Sequence, residues 1–241
     1  MEPAPEVSDE ARVKQVRRIF STITDRYDFL NHFLSAGRDV YWRRFLVRRL
    51  RFFQTYRLLD LATGTGDVAL ESARCHPAIM VTGLDFAAPM LQAARPKIIR
   101  AGLADRIRLL QGDALNLPFP DGHFDAVTVA FGIRNMPDRA RVFAEVQRVL
   151  VPGGGFSILE FTTPQGDLFR RVYFFYLHRW LPRLAKIFTG NPEAYQYLAE
   201  SIMRFPYPSD FVREIGASGF QEAGKFALTG GITYLYEGKK D

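Results

Sequence analysis

Between Arg57 and Phe161 the sequence changes its period at nearly regular intervals. Short apolar runs rich in Leu, Val and Ile read as buried strands: Arg57–Leu61, Ile79–Leu84, Arg106–Leu110, Asp125–Ala130 and Gly155–Glu160. Between them lie segments of helical period, Asp67–Cys75, Pro89–Ala101 and Asp138–Val149. Strands that alternate with helices imply βαβ units, because parallel neighbours need a crossover on one face of the sheet. The expectation is an α/β fold with a doubly wound, Rossmann-like sheet.

After Phe161 the alternation stops. Residues 167–204 read as a helical insertion of long aromatic helices, punctuated by Pro182 and Gly190-Asn191-Pro192. Pro208 to Ser218 reads as a helix with Ser209 as its cap. Two strands, Gln221–Leu228 and Gly231–Glu237, flank the short linker Thr229-Gly230-Gly231, so they are expected to pair as an antiparallel hairpin. The sheet then has about seven strands, mostly parallel, in one domain over residues 11–241. Residues 1–10, with Pro3 and Pro5, read as a disordered lead-in, and residues 11–56 as a helical cap built on Ala11–Thr22 and Val40–Phe53.

Composition narrows the class. Hydrophobic residues make up 47% of the 241, enough for a sizeable core. The one cysteine, Cys75, rules out an intrachain disulfide and a Cys-rich metal site, and it fits a reducing compartment. The first residues lack an apolar signal region, and no run of eighteen apolar residues occurs. A cytoplasmic protein without a transmembrane helix is expected. The net charge is +6, which leaves nucleic acid and an anionic membrane surface open as partners. Arg43, Arg44, Arg48, Arg49 and Arg51 are interleaved with Trp42, Phe45, Phe52 and Phe53, and a second group runs from Arg170 to Lys186. A solvated helix face explains such charge alone. The aromatic interleaving favours a peripheral membrane contact at the inner face or an apolar partner over nucleic acid. A helix packed on the sheet, or a homodimer interface, is the competing explanation of the segment LFRRVYFFYLHRWLPRLAKIF.

The segment LLDLATGTGDVAL joins the first strand to the first helix through Gly64-Thr65-Gly66. Glycines there let the backbone pass close to a ligand, and ligands of open α/β sheets bind outside the carboxyl ends of the strands. Alone the loop is ambiguous. Gly64, Gly66 and Ala69 satisfy G-x-G-x-x-A with Asp85 about twenty residues on, the dinucleotide pattern, and a tight turn without a ligand would look the same. Three acids at successive strand ends favour a cationic nucleoside. Asp60 can accept from the amino group of a methionyl moiety, Asp85 from two ribose hydroxyls, and Asp113, beside Ala114, from an adenine amine. A sulfonium needs no anion receptor, whereas a pyrophosphate would be repelled by Asp60.

Further blocks carry a resemblance: FSTITDRYDFLNHFLSAGRDVYWRR, LPFPDGHFDAVTVAFGIRN, VLVPGGGFSILEFTTP, AYQYLAESIMRFP and GGITYLYEGKK. With the glycine loop they make the chain, from about Phe20 to Lys239, resemble the ubiquinone/menaquinone biosynthesis C-methyltransferases, demethylmenaquinone methyltransferase-like enzymes of the class I fold. The resemblance implies S-adenosyl-L-methionine as cofactor, contacted by Thr65, Asp85 and Asp113-Ala114. A family serine before the FG-x-RN block is Ala130 here, T-G-T-G-D replaces the commoner G-G-T-G-D, and Met136-Pro137 follows Asn135 where valine-threonine is usual.

It also implies methyl transfer to a ring carbon of a polyprenylated quinol. Loss of the neighbouring hydroxyl proton would make that carbon nucleophilic. Arg134 and Asn135 leave the fourth strand beside the cofactor. Arg134 stays protonated, so its expected task is to stabilise the phenolate or orient a water, with a structural salt bridge as the competing explanation, while Asn135 bonds the ring oxygen or that water. Tyr27, in the block that folds over the site in this family, is expected to bond the ring oxygen, and Asp28 to hold a water or a cap. Glu160 ranks below them. His32, His76, His123 and His178 do not form a metal set. Menaquinol and ubiquinol precursors are not distinguished. Another small lipophilic acceptor, a dehydrogenase or a binding module remain as alternatives.

Overall fold

A computed structural model describes residues 37–164 and 192–241, with isolated positions 32, 35, 166, 171, 175 and 179. The elements are α1 (Arg38–Val47), β1 (Arg57–Leu61), α2 (Asp67–Cys75), β2 (Met80–Asp85), α3 (Ala88–Arg100), β3 (Ile107–Gln111), β4 (Phe124–Ala130), α4 (Arg139–Val149), β5 (Leu150–Phe161), α5 (Pro192–Arg204), α6 (Pro208–Ala217), β6 (Gln221–Leu228) and β7 (Thr233–Lys239). The lead-in, the helix Ala11–Thr22, Tyr27, Asp28, His178 and the insertion up to residue 191, apart from those isolated positions, lie outside the described residues.

The strands form one seven-stranded sheet in the order β3-β2-β1-β4-β5-β7-β6. β1 to β5 are parallel, and β7 runs antiparallel to both β5 and β6. The doubly wound sheet and its C-terminal antiparallel hairpin are therefore as expected. Alternate residues of each strand feed opposite cores, because strand side chains alternate faces. Leu59, Val127, Phe156 and Tyr236 pack with Val142, Phe143 and Val146 of α4 and Phe211 and Ile215 of α6. Leu58, Ala126, Leu159 and Leu235 pack with Trp42 and Leu46 of α1, Val68 and Ala73 of α2, and Ala94 and Ile98 of α3. Central β4 is buried along nearly its whole length, which explains its unbroken apolar run.

Three local expectations need correction. The helix expected to reach Phe53 ends at Val47. The fully buried carboxylate of Asp125 accepts from the backbone N–H groups of Gln54, Thr55 and Tyr56 at 2.5–3.1 Å, and this turns the chain into β1. Ser209 is not a cap: Tyr207 holds that position, Pro208 opens the helix, and the Ser209 hydroxyl accepts from Lys225 Nζ at 2.9 Å. β5 begins at Leu150, ahead of Gly155, because Leu150 already pairs with Phe124 before a bulge brings Gly155 opposite Ala126. Asp138 does cap α4, accepting from Arg141 N at 2.9 Å. Among the described residues no helix is long and apolar enough to cross a membrane.

Candidate active site

The carboxyl ends of β1, β2, β3 and β4 enclose a cavity of about 330 Å³. One wall comes from Gly64, Asp85, Phe86, Met90, Asp113 and Ala114, the other from Ala130, Phe131, Gly132, Asn135 and Met136. Its size falls in the range of small-molecule sites, roughly 300 to 1,000 Å³.

The loop after β1 owes its shape to backbone fit. Gly66, at φ +82°, caps α2, and a Cβ there would meet Ala94 Cβ at 3.3 Å, so its task is close packing of the loop against α3. Gly132 serves another close approach: a Cβ on it would stand 2.6 Å from Ala62 Cβ, where the chains leaving β1 and β4 meet. Gly64, at φ +56°, lines the cavity and donates its N–H to Asp85 Oδ2 at 2.9 Å.

The three acids are held differently. Asp60 is buried between its registered neighbours Gly83 and Thr128. Its two oxygens accept from the hydroxyls of Thr63 at 2.6 Å and Thr128 at 2.7 Å. Burial, against those hydrogen bonds, pushes its carboxyl up to about 6. Gly83 leaves the space that the Thr63 side chain fills, since a Cβ at that position would lie 2.9 Å from Thr63 Oγ1. Asp85 accepts from Gly64 N and from Ala87 N at 2.8 Å, and burial raises its carboxyl above the ordinary range. Asp113 is exposed at the cavity rim, accepting from Leu115 N at 2.9 Å. Thr65 is buried on the far side of the loop, where its hydroxyl accepts from Lys97 Nζ at 3.2 Å.

Beyond β4 the chain makes one short helical turn, Ile133–Asn135, that sends Arg134 and Asn135 in different directions. Arg134 is not among the described residues that line the cavity. Its guanidinium pairs with the fully buried Glu160 at 2.6 Å and also donates to Phe131 O and Ser201 Oγ. Glu160 accepts the Arg134 backbone N–H at 3.2 Å as well. Burial holds the Glu160 carboxyl above its ordinary value against the pull of Arg134. Arg134 thus braces the turn in this structure, where the sequence placed it against the phenolate. Asn135 does line the cavity, and its Oδ1 accepts from Tyr197 Oη of α5 at 2.9 Å.

Sequence reasoning left out Thr63, Thr128, Phe86, Met90, Tyr197 and Ser201. A threonine between valines in an otherwise apolar strand, as in VTV, was the available signal for Thr128. Tyr197 and Ser201 stand 62 and 67 residues from the groups they hold, and no local pattern joins them. Of the described histidines, His32 contacts Asp39, His76 contacts Val47 O, and His123 stacks on Phe119. Among the described residues no group could hold a metal ion.

A sheet in this strand order, with a glycine turn after its first strand and acids at its strand ends, is the fold of the class I methyltransferases. A solved SAM-dependent methyltransferase from Aquifex aeolicus shares it with a TM-score of 0.61 at 16% identity, over 83% of this chain and 89% of that one. Within that class the chain belongs to the ubiE/COQ5 methyltransferase family, whose sequence model matches residues 6–240. The demethylmenaquinone methyltransferase of Thermus thermophilus is 46% identical over 222 residues, covering 92% of this chain and 100% of that protein. The ubiquinone/menaquinone biosynthesis C-methyltransferase UbiE of Geotalea uraniireducens is 43% identical over 228 residues, covering 94% and 97%.

Proposed function

We propose that the protein transfers a methyl group from S-adenosylmethionine to a ring carbon of a polyprenylated demethylmenaquinol, or of the corresponding ubiquinol precursor, in quinone biosynthesis. The observation that carries this is the pair of unlike walls of one cavity. The wall of Gly64, Asp85 and Asp113 offers acceptors for a ribose and a base amine, with Phe86 and Met90 as apolar plates. The opposite wall offers Phe131, Met136 and a single amide, Asn135, which suits a flat, largely apolar ring with one oxygen to be held. The donor set fits the cofactor, since the described residues lining the cavity include carboxylates and no cation.

When bound, the cofactor supplies an electrophilic methyl group. The protein's part is to hold the acceptor ring and favour its deprotonated oxygen. Because Tyr197 donates to Asn135 Oδ1, the amide hydrogens of Asn135 remain for a ligand oxygen. Such a donor stabilises a quinolate more than a quinol, since hydrogen bonds to charged groups are stronger. Arg134 and Glu160 act one layer behind, fixing the turn that aims Asn135. The lipophilic tail and the exposed Tyr41, Phe53, Arg48 and Arg51 support work at the inner, cytoplasmic face of the membrane.

The test is turnover of methyl-labelled cofactor with a reduced short-chain demethylmenaquinol in anionic liposomes. A C-methylated quinol is expected, with a rate that falls as salt rises. A folded protein that binds the cofactor yet methylates neither quinol precursor overturns the acceptor. A rate indifferent to salt and to liposome charge removes the membrane contact.

A further inference from the structure

Behind the glycine loop lies a second, small cavity of about 40 Å³. It shares Ala62, Gly64, Ala130 and Phe131 with the large one, so the two adjoin across the loop. Its remaining wall brings together Asp60, Asp67 and Arg43. Arg43 comes from α1, in the basic and aromatic cluster whose simplest explanation is a solvated or membrane-facing surface. The structure turns it inward instead: its side chain is 14% exposed, whereas Arg44 is 56% exposed.

Two acids hold Arg43 in place. Its Nη2 donates to the buried Asp39 and stands 3.3 Å from Asp67 Oδ2. Asp39 is itself fixed by Ser35 Oγ at 2.8 Å and His32 Nδ1 at 3.1 Å, and Asp67 by Lys97 Nζ at 2.5 Å. Both contacts of Arg43 use one nitrogen. Nε and Nη1 of this part-buried guanidinium have no partner among the described residues and are not sealed in the core, so they stay open to a ligand. A carboxylate is the acceptor that such donors bind most strongly, through charge-assisted hydrogen bonds.

We propose that Arg43 is the receptor for the α-carboxylate of the cofactor's methionyl arm, and that α1 thereby completes the cofactor site. This rests on the methyl-donor function proposed above. With the nucleoside against Asp85 and Asp113, the part of the cofactor left to place is an amino-acid arm bearing one ammonium and one carboxylate. The small cavity offers both complements, Asp60 and Asp67 for the ammonium and Arg43 for the carboxylate. The bracing of Arg43 by Asp39 and Asp67 fixes its orientation in advance, which lowers the ordering cost of binding. The helix α1 is then part of the cofactor site.

The test pairs a deletion in the protein with one in the ligand. S-adenosylhomocysteine and its decarboxylated analogue are titrated calorimetrically into wild-type protein, Arg43→Met and Arg43→Lys. Wild type is expected to bind the decarboxylated analogue at least tenfold more weakly. Arg43→Met is expected to lose tenfold or more for S-adenosylhomocysteine and less than twofold for the analogue, so that the two ligands become nearly equal. Arg43→Lys should recover part of the difference. Equal losses for both ligands would mean that Arg43 only braces the loop through Asp67, and would overturn the proposal. So would a wild-type protein indifferent to the carboxylate, a comparison that needs no folded variant. Wild-type protein that binds neither ligand overturns the methyl-donor function as well, which separates the two failures.

Discussion

The two walls of the cavity are built on opposite plans. On the cofactor side the acids are held from within the glycine loop, from the adjoining strand β4 and by the residues just after β2. Thr63 and Thr128 hold Asp60, and Gly64 and Ala87 hold Asp85. On the acceptor side the turn after β4 is held from far away, by Glu160 of β5 and by Tyr197 and Ser201 of α5. Each side contains a fully buried carboxylate. Asp60 is met by hydroxyls and forms no ion pair among the described residues, while Glu160 is met by a guanidinium. A local plan fixes a ligand that is always the same. The acceptor wall is tied instead to α5, an element more than sixty residues away in the sequence.

The largest expected effect lies in the long-range pair. Arg134→Ala strands Glu160 in the core, and breaking one side of a buried pair costs about 3 to 5 kcal/mol. Urea unfolding should register that loss. Arg134→Met combined with Glu160→Met removes both charges and should return to within about 1 kcal/mol of wild type, because an apolar pair of similar volume replaces a buried ion pair without large loss. The double variant should bind S-adenosylhomocysteine within about twofold of wild type while methyl transfer stays impaired, since the pair braces the acceptor wall alone. A double variant as unstable as the single would break the comparison, because the network would then extend beyond this pair.

The hydroxyl-held carboxylate makes the next prediction, through pH. Burial raises Asp60 from 3.8 in the unfolded chain to about 6 in the fold. The folded state therefore keeps a proton that the unfolded chain has released. Its stabilisation is complete below about pH 4 and is lost as pH rises through about 6. At 1.36 kcal/mol per unit the loss is about 3 kcal/mol. Asp60→Asn does not titrate, so its stability relative to wild type should rise by up to about 3 kcal/mol between pH 4 and pH 7.5. Glu160 is shifted in the same direction and cancels in the difference, whereas Asp85, whose charge helps to raise Asp60, adds a smaller coupled contribution to it. A flat difference would mean that the Thr63 and Thr128 hydroxyls offset the whole burial cost, and that the two carboxylates are less unlike than they look.

The same contrast explains what was legible in the sequence. The parallel, doubly wound sheet follows from the alternation between Arg57 and Phe161, because periods of two and of 3.6 residues are local properties of the chain. Gly64, Asp85, Asp113 and Ala114 could be placed at the cavity because a strand end fixes where the next side chains go. Arg134 could be placed at the right turn but not in the right direction. Its orientation is decided by Glu160, 26 residues later, and no spacing rule ties the two. Arg43 was misjudged for a similar reason. On a helix with Arg43 and Arg44 side by side, the packing of Asp39 and Asp67 decides which one turns inward. Phe131, at φ +58°, was unforeseeable too, since a non-glycine residue enters that region only where its surroundings force it.

The smallest effect tests the acceptor wall alone. Tyr197→Phe deletes one hydroxyl and leaves the ring, so packing of α5 on the turn is kept. The lost hydrogen bond should cost about 1 kcal/mol of stability. Its consequence for turnover should exceed that for affinity, because Asn135 loses the donor that orients its amide toward a ligand oxygen. The expected pattern is a severalfold lower kcat, a KM for the quinol that changes less, and S-adenosylhomocysteine binding within about twofold of wild type. A loss confined to cofactor affinity would put Tyr197 on the wrong wall. Unchanged kcat would mean that the amide is oriented without α5, and the acceptor side would then be as locally wired as the cofactor side.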